Sequence, residues 1–242
     1  MNKNGRDLGG PIAIVNRFAV RGDARRFEEE LLRHARLVGD QEDVDSVLTL
    51  RLVRRPGAYV HVTFWRTLGG FIEAVHRRSY LRRARRLGGL VETAADQAVS
   101  VRSARGERAG EIAAAARVRV TRYRVAGNGR AFERNLWDRG DLLARQGAGC
   151  GSQVLRSALC PQCYVGLEWS QHREEFEGVL RNEHYRRLSS LIAEAAEAEV
   201  EDSLHLAGRP GAPVPADASP ALRGTGPRRP EGAGGAPGPG GG

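Results

Sequence analysis

The sequence predicts an α+β protein built from two tandem copies of a β-α-β-β-α-β unit. Aromatic residues of the first half recur 105 positions later, for example Phe27 with Phe132. The matches continue without a gap from residues 12–87 onto residues 117–192. Within each copy, stretches rich in β-branched residues alternate with stretches of helical apolar periodicity. A constant spacing over this length indicates two copies of one folding unit.

The first copy opens with a β-rich strand over residues 12–20. Gly22 ends this strand, and Asp23 is a typical N-cap for the helix that follows, where apolar residues recur at helical spacing from Phe27 to Val38. The later elements are a strand over 47–53, a Pro-Gly turn at 55–57, a strand over 59–65, a helix over 71–87 and a strand over 98–102.

The second copy predicts the same order of elements. Its strands are expected over 118–125, 153–157, 163–169 and 203–207, and its helices over 130–143 and 173–198. An antiparallel sheet with helices on one face leaves the other face bare, and two copies can cover each other. We therefore expect a single-chain pseudo-dimer with a barrel-like core; two independent domains on a linker are the alternative.

Composition shifts divide the chain into five segments. These are a flexible N-terminus over 1–10, the first repeat over 11–103, a linker over 104–116, the second repeat over 117–207 and a Gly/Pro-rich tail over 208–242. The tail has almost no apolar residues to bury, so we expect it to be disordered.

The formal net charge of +9 does not by itself indicate a nucleic-acid partner. Lys3 is the only lysine, and the abundance of Arg, Gly, Ala and Pro is typical of a GC-rich genome. No stretch approaches the roughly 20 apolar residues that cross a bilayer, and the N-terminus lacks the apolar core of a signal peptide. The sequence predicts a cytoplasmic protein that binds neither nucleic acid nor membrane.

Three cysteines, Cys150, Cys160 and Cys163, do not make a secreted disulfide framework. Cys160 and Cys163 form a CxxC that the repeat spacing places in the hairpin turn matching residues 55–58. A zinc site needs four ligands, and redox CxxC motifs normally open a helix. We expect no metal here.

The repeat order, together with Trp65 followed six positions later by Phe71 at the start of a helix, resembles the antibiotic biosynthesis monooxygenase family. Members of that family are dimeric α+β barrels of ferredoxin-like units, and two-copy chains are similar to the ring-opening polyketide oxygenases of the jadomycin and kinamycin type. The resemblance implies an oxygenase acting on a polycyclic aromatic polyketide intermediate, quinone-forming or ring-opening, in antibiotic or pigment biosynthesis. It implies molecular oxygen as co-substrate and no metal or required cofactor, with a diffusible reduced flavin left open.

The family's site pattern falls on His61, Trp65, Phe71 and Arg85. His61 stands where the family has Asn, and Phe71 stands where it has Tyr. The matching positions of the second copy are Gly166, Ser170, Phe176 and Ser190. The first copy is therefore expected to hold a pocket between its sheet and its helices, and the equivalent space of the second copy is expected to be filled or apolar.

The resemblance also suggests a role for each residue. His61 would take a proton from the substrate, so the rate would rise with pH near the ordinary histidine pKa of about 6.5. Asn16 on the first strand would hydrogen-bond a substrate oxygen, and Arg85 would stabilise a phenolate or superoxide. Trp65 and Phe71 would stack on the aromatic. Two further residues, His76 and Tyr80, would line the site.

Several alternatives stay open. Haem-degrading relatives need a Trp and a His at positions that are Ala74 and Ala84 here, which disfavours haem chemistry. A polyketide cyclase on the same fold would use the same pocket without oxygen. A non-catalytic binding module would use the Arg-rich helix as a partner surface. Homodimer formation is also left open.

Overall fold

The secondary structure consists of one order of strands and helices that occurs twice. The computed structural model describes residues 10–105, 112, 115, 117–146 and 149–206. The elements of this part are β1 (Ile12–Val20), α1 (Ala24–Gly39), β2 (Val44–Leu52), β3 (Ala58–Trp65), α2 (Leu68–His76), α3 (Arg78–Gly88), β4 (Val91–Arg105), β5 (Arg117–Val125), α4 (Gly129–Gln146), β6 (Gly151–Ser157), β7 (Cys163–Ser170), α5 (Arg173–Arg181), α6 (Glu183–Ala195) and β8 (Ala196–His205). The expected disordered tail lies outside the described residues, as do most of the N-terminus and most of the linker.

Helix boundaries follow side-chain caps. Asp23 accepts hydrogen bonds from the backbone N–H groups of Arg25 and Arg26, so the predicted N-cap of α1 is confirmed. The single helix predicted over 71–87 is wrong, because the backbone of Arg77 is extended (ψ 136°) and separates α2 from α3. In the second half, Asn182 interrupts the equivalent helix and caps α6 with its side chain.

Two strands, β4 and β8, each begin seven residues earlier than predicted. β4 runs over Val91–Arg105 rather than 98–102. β8 begins at Ala196, inside a predicted helix. Ala and Glu, which form this segment, have high helix propensity. Pairing of β8 with β5 outweighs that local preference.

The strands form a closed antiparallel barrel in the order β1-β3-β2-β8-β5-β7-β6-β4. Strand β4 pairs with β1 of its own half and with β6 of the other half. Strand β8 pairs in the same way with β5 and with β2. The two halves are therefore joined by backbone hydrogen bonds at two seams, and neither is a separate domain. The antiparallel sheet and its helices confirm the predicted α+β class.

Alternate residues of each strand face opposite sides of the barrel wall. The interior is one apolar cluster from both halves, which includes Val62, Leu155 and Trp169. The outward apolar residues pack under helices, as Ile14 and Trp65 do in the first half. The outer face beneath the helices of the first half is the surface on which the sequence-predicted site residues lie.

Ion pairs also join the halves. Arg17 and Arg55 of the first half both lie near Glu201 on β8, at 3.6 and 3.1 Å. Cys160 and Cys163 are joined in a disulfide in the β6–β7 hairpin turn, where the repeat spacing placed them. Within the described residues, every helix is too short or too polar to cross a membrane.

Candidate functional site

Three neighbouring strands of the first half carry polar side chains at one level. Asn16 on β1 pairs in register with His61 on β3 and with Ala95 on β4. His61 in turn pairs with Thr49 on β2. Because paired residues point to the same side of a sheet, Asn16, His61 and Thr49 form one polar row on the outer face of the barrel wall.

Less polar levels lie on both sides of this row. Phe18 pairs with Tyr59 on one side, and Ile12 pairs with Trp65 two levels away on the other. The level between contains Thr63. The row therefore places a few hydrogen-bonding groups inside a largely apolar surface, which is typical of small-molecule sites.

His61 is fully buried, and its Nδ1 lies 3.0 Å from Thr49 Oγ1. In the described part of the chain, its Nε2 has no hydrogen-bond partner. Burial lowers the pKa of His61 to about 3, with a smaller contribution from nearby His34. The imidazole is therefore neutral at neutral pH, and we expect any effect of its titration on the rate near pH 3 rather than near pH 6.5.

His34 is a site residue that the resemblance missed. It extends from α1, is 5% exposed, and its ring centroid lies 5.7 Å from that of His61. Its Nδ1 is also buried without a partner among the described residues. Burial, and then the charge of Arg83, lowers the pKa of His34 to about 4. The signal in the sequence was its spacing, because Phe27, Leu31 and His34 share the buried face of α1.

Tyr80 covers this pair of histidines. Its ring meets the ring of His34 edge-on at 5.2 Å. The side chain is half-buried on α3, and burial raises the pKa of its phenol. Tyr80 therefore lies beside the polar row, as the sequence predicted for a residue lining the site.

Trp65 and Phe71 contact each other, with ring centroids 5.5 Å apart. Trp65 is 2% exposed, and its Nε1 donates to Thr63 Oγ1 at 2.8 Å. Phe71 is half-buried beside it. The tryptophan is thus packed into the layer between β3 and α2, four residues along the strand from His61.

Two predicted residues lie apart from the row. His76 is exposed on α2, where its Nδ1 contacts the Ile72 carbonyl, and Arg85 is exposed on α3. Another arginine of α3 lies closer to the histidines: Arg83 is 3.6 Å from Glu30 and acts on the pKa of His34. The structure places Asn16 beside His61 and Tyr80 beside His34, and it places neither His76 nor Arg85 with them.

An open groove approaches the row from the side of β4. Asn16 is half-buried, and its neighbour Ala95 on β4 is exposed. A cavity of about 480 Å³ lies along β1 and β4, and it is lined by Gly10, Pro11, Ile12, Leu68, Gln97, Val99, Ser100 and Ala158. An adjacent cavity of about 360 Å³ includes Trp65 in its lining. Neither cavity is lined by Asn16, His61 or His34, so both spaces stop short of the polar row.

The equivalent space of the second half is filled by a charged network. Arg139, at the position of His34, lies 2.9 Å from Glu168, at the position of Thr63. Tyr185 donates to Glu168 at 2.8 Å, and Arg139 donates to the Tyr123 hydroxyl at 2.6 Å. The space is filled, which is one of the two expected outcomes, and it is filled by polar groups that stand at other positions than those of the family's site.

The largest cavity described here, about 580 Å³, lies among β5, β7 and β8. Its charged lining includes Asp96, Arg122 and Glu199. It does not include Trp137, Trp169 or His184, the residues around which a second-half pocket would have been expected. Among the described residues, no cluster of three His, Cys, Asp or Glu side chains is placed to hold a metal.

The fold and this groove define an α+β barrel protein with a candidate small-molecule site on the outer face of its first half. No family model and no curated protein matches the sequence. Three solved structures are similar over most of their length. A proposed monooxygenase of Fusobacterium nucleatum aligns at 10% identity over 82% of this chain and 93% of its own, with a TM-score of 0.72. A proposed monooxygenase of Lactobacillus acidophilus NCFM aligns at 9% identity over 81% of this chain and 94% of its own, with a TM-score of 0.65.

The third structure is an anthrone oxidase-like protein, which aligns at 12% identity over 81% of this chain and 91% of its own, with a TM-score of 0.60. At such identities the likeness establishes the fold alone.

Proposed function

We propose that this protein is an oxygenase that acts on a polycyclic aromatic substrate, with its site on the first half. The observation that carries the proposal is the polar row of Asn16 and His61, with His34 beside it, among apolar levels of the same sheet face. Three proteins of the same fold support the reaction type, since two are described as proposed monooxygenases and one as anthrone oxidase-like. The finer assignment is a polyketide intermediate, as the family resemblance implies.

The neutral imidazole of His61 can accept a proton, but its lowered pKa makes it a weak base, so the proposal requires the negative charge that develops on the substrate to stabilise the protonated ring. His61 accepts the proton of an enolisable or phenolic substrate, and the resulting carbanion or phenolate passes one electron to dioxygen. The substrate radical and superoxide combine into a hydroperoxide, which loses water to give the quinone. One oxygen atom enters the product and the other leaves as water, so dioxygen is the only oxidant required. Asn16 hydrogen-bonds the substrate oxygen, and the apolar groove excludes water from the charged intermediates.

The remaining residues have supporting roles in the proposal. Phe71 and Trp65 form the apolar wall, and Tyr80 covers the histidines. Arg85 is proposed from the resemblance to stabilise developing negative charge, and Arg83 is the competing candidate because it lies closer to His34. We also propose that the chain is a tandem-repeat pseudo-dimer in which only one copy is active. The repeated element order and the two seams of the barrel support this.

Oxygen uptake tests the proposal directly. Purified protein is mixed with anthrone, with and without reduced flavin, and dioxygen consumption and quinone formation are recorded. We expect quinone and water in equal amounts without flavin, and a rate loss of roughly 10²–10⁴-fold in His61→Ala. Rates of Arg83→Gln and Arg85→Gln at high pH identify the charge-stabilising arginine.

Two results contradict the oxygenase. Full turnover of the natural substrate without oxygen would assign the cyclase, and wild-type oxygen consumption by His61→Ala would remove the proposed site. A flavin-dependent rate would keep the oxygenase and change its source of electrons.

A further inference from the structure

We infer that His34 and His61 together bind one hydroxyl oxygen of the ligand, so that His34 is a second ligand-binding residue of the site. This inference rests on the proposed function for the location of the site, but it concerns binding rather than oxidation. The ligand group at this position is a neutral aromatic hydroxyl rather than a carboxylate, a phosphate or an ether.

The two histidines offer complementary atoms. His61 Nε2 and His34 Nδ1 are buried, and neither finds a partner in the described residues. The ring centroids are 5.7 Å apart. A hydroxyl oxygen that makes two hydrogen bonds of about 2.8 Å at a near-tetrahedral angle spans roughly 4.6 Å between the two nitrogens. Facing nitrogens of two rings at this centroid separation can lie within that span, so a single oxygen atom can satisfy both rings.

Leaving such nitrogens without partners is costly. A buried polar atom without a hydrogen bond typically costs about 1–3 kcal/mol. In the second half the same space holds a charged pair. There Arg139 and Glu168 lie together, and each bonds a tyrosine hydroxyl, although Arg139 Nε makes no hydrogen bond of good geometry among the described residues. In the first half two neutral rings stand where the second half has this ion pair, so a hydrogen-bonding group of a ligand can satisfy their unpartnered nitrogens.

The protonation state selects the ligand group. Both rings are neutral at neutral pH, so each carries one N–H donor and one bare nitrogen. In the tautomers that the proposal requires, His61 donates its Nδ1–H to Thr49 and leaves Nε2 bare, and His34 carries its proton on Nδ1. A hydroxyl can donate to His61 Nε2 and accept the N–H of His34. A carboxylate or an ether cannot donate, so either group leaves His61 Nε2 unsatisfied.

Access requires movement of α3. His61 is fully buried, and Tyr80 of α3 lies over His34. Leu87 is the only fully buried residue of this helix. The helix begins after Arg77, where the extended backbone interrupts the helical conformation. Displacing α3 therefore exposes little apolar surface. The ligand's ring system would occupy the groove beside β4, and its hydroxyl would displace Tyr80 from the histidine pair.

A matched pair of probes tests the inference. Binding of 1-naphthol and of its methyl ether, 1-methoxynaphthalene, is measured by calorimetry at pH 7.5. We expect the wild type to bind 1-naphthol at least about tenfold more tightly, the equivalent of 1.4 kcal/mol. In His34→Leu the preference is expected to fall to about threefold or less. His34→Gln, which keeps a donor and an acceptor, should retain part of it, and His184→Leu on the exposed face of α6 should retain all of it.

Histidine ring nitrogens give a second readout that a structural role would not move. The chain contains six histidines, so ¹⁵N spectra of the imidazoles can be assigned by single substitutions. 1-Naphthol is expected to shift His34 Nδ1 and His61 Nε2, and 1-methoxynaphthalene to shift at most one of them.

The outcomes are distinct. Equal affinities for the two probes, or an unchanged preference in folded His34→Leu, would overturn the inference; both results are expected if only a buried water occupies the space. A clear preference for 1-naphthol without any oxygen consumption would keep this binding site and refute the oxygenase. Oxygen consumption without a preference for 1-naphthol would keep the oxygenase and refute this binding site.

Discussion

Acid is expected to destabilise the wild-type protein more than a variant that lacks His61. The folded protein holds the pKa of His61 at about 3 by burial, whereas the unfolded chain has the ordinary value of about 6.5. As the pH falls from 6.5 towards 3, the unfolded state binds a proton that the folded state does not bind. The free energy of unfolding therefore decreases over this window and is not affected by His61 above it.

The size of the effect follows from the two pKa values. At pH 4.5 the unfolded histidine is two pH units below its pKa, and the folded one is still neutral. At 1.36 kcal/mol per unit, His61 costs about 3 kcal/mol relative to pH 7.5. Because the side chain is fully buried, solvent screening gives no reason to reduce this figure.

His61→Asn is the informative variant. Asparagine does not titrate, and its amide can keep a hydrogen bond to Thr49, which the Nδ1 of His61 makes now. Urea unfolding at pH 7.5 and pH 4.5, followed by fluorescence, gives the loss of stability for each protein. Acid titration of carboxylates is common to both, so it cancels in the difference. We expect the wild type to lose about 3 kcal/mol more than the variant.

A histidine on the surface provides the control. His184→Asn on the exposed face of α6 should lose as much stability as the wild type between the two pH values. The reasoning would be refuted if His61→Asn also lost as much as the wild type, within about 0.5 kcal/mol. That result would mean that the folded protein admits a proton to His61, and the neutral state on which the hydroxyl site depends would be absent.

Three further predictions concern single side chains. Arg139→Met leaves Glu168 buried without its cation and should lose about 3–5 kcal/mol of unfolding free energy. The double variant Arg139→Met/Glu168→Leu should recover most of that loss. Urea unfolding of both variants checks this, and equal losses in the two would contradict it. Arg83→Gln removes a charge that lowers the pKa of His34, so NMR titration should find that pKa raised, while Arg85→Gln, exposed on the same helix, should leave it unchanged. Trp65→Ala should lose about 3–5 kcal/mol of stability because the ring is buried, and a stable variant with weakened ligand binding would instead favour the stacking role.

Much of the fold could be predicted because local and repeat patterns agree. The strand from Ile12 to Val20 and the cap at Asp23 combine strong local propensity with a matching second copy. The interruption of the helix at Arg77 could not be predicted, because arginine is a good helix former and no side chain there caps a helix end. The start of β8 was missed because Ala196 and Glu197 favour a helix until β5 pairs with them.

The candidate site was predictable in part. Asn16 and His61 could be placed on one face from strand alternation and the family resemblance, although their functional role stays a prediction. His34 lies on another element, and no spacing along the chain links it to His61. Arg139 and Glu168 could not be predicted as site residues for a related reason. They match His34 and Thr63, which are not positions of the family's site. Contacts between elements, rather than residue types, define both clusters.

The two halves suggest a final test of what the histidine pair does. The variant Phe18→Tyr/His34→Arg/His61→Gly/Thr63→Glu copies into the first half the residues that fill the second, where Tyr80 already matches Tyr185. The glycine is needed because a Cβ at Gly166 would lie 3.2 Å from the Tyr123 ring. With both histidines gone, we expect the loss of stability between pH 7.5 and pH 4.5 to shrink by up to about 5 kcal/mol. The same variant is expected to bind 1-naphthol and 1-methoxynaphthalene equally. If it kept the preference for 1-naphthol, the hydroxyl would have to be recognised elsewhere in the groove, and Asn16 would be the first residue to examine.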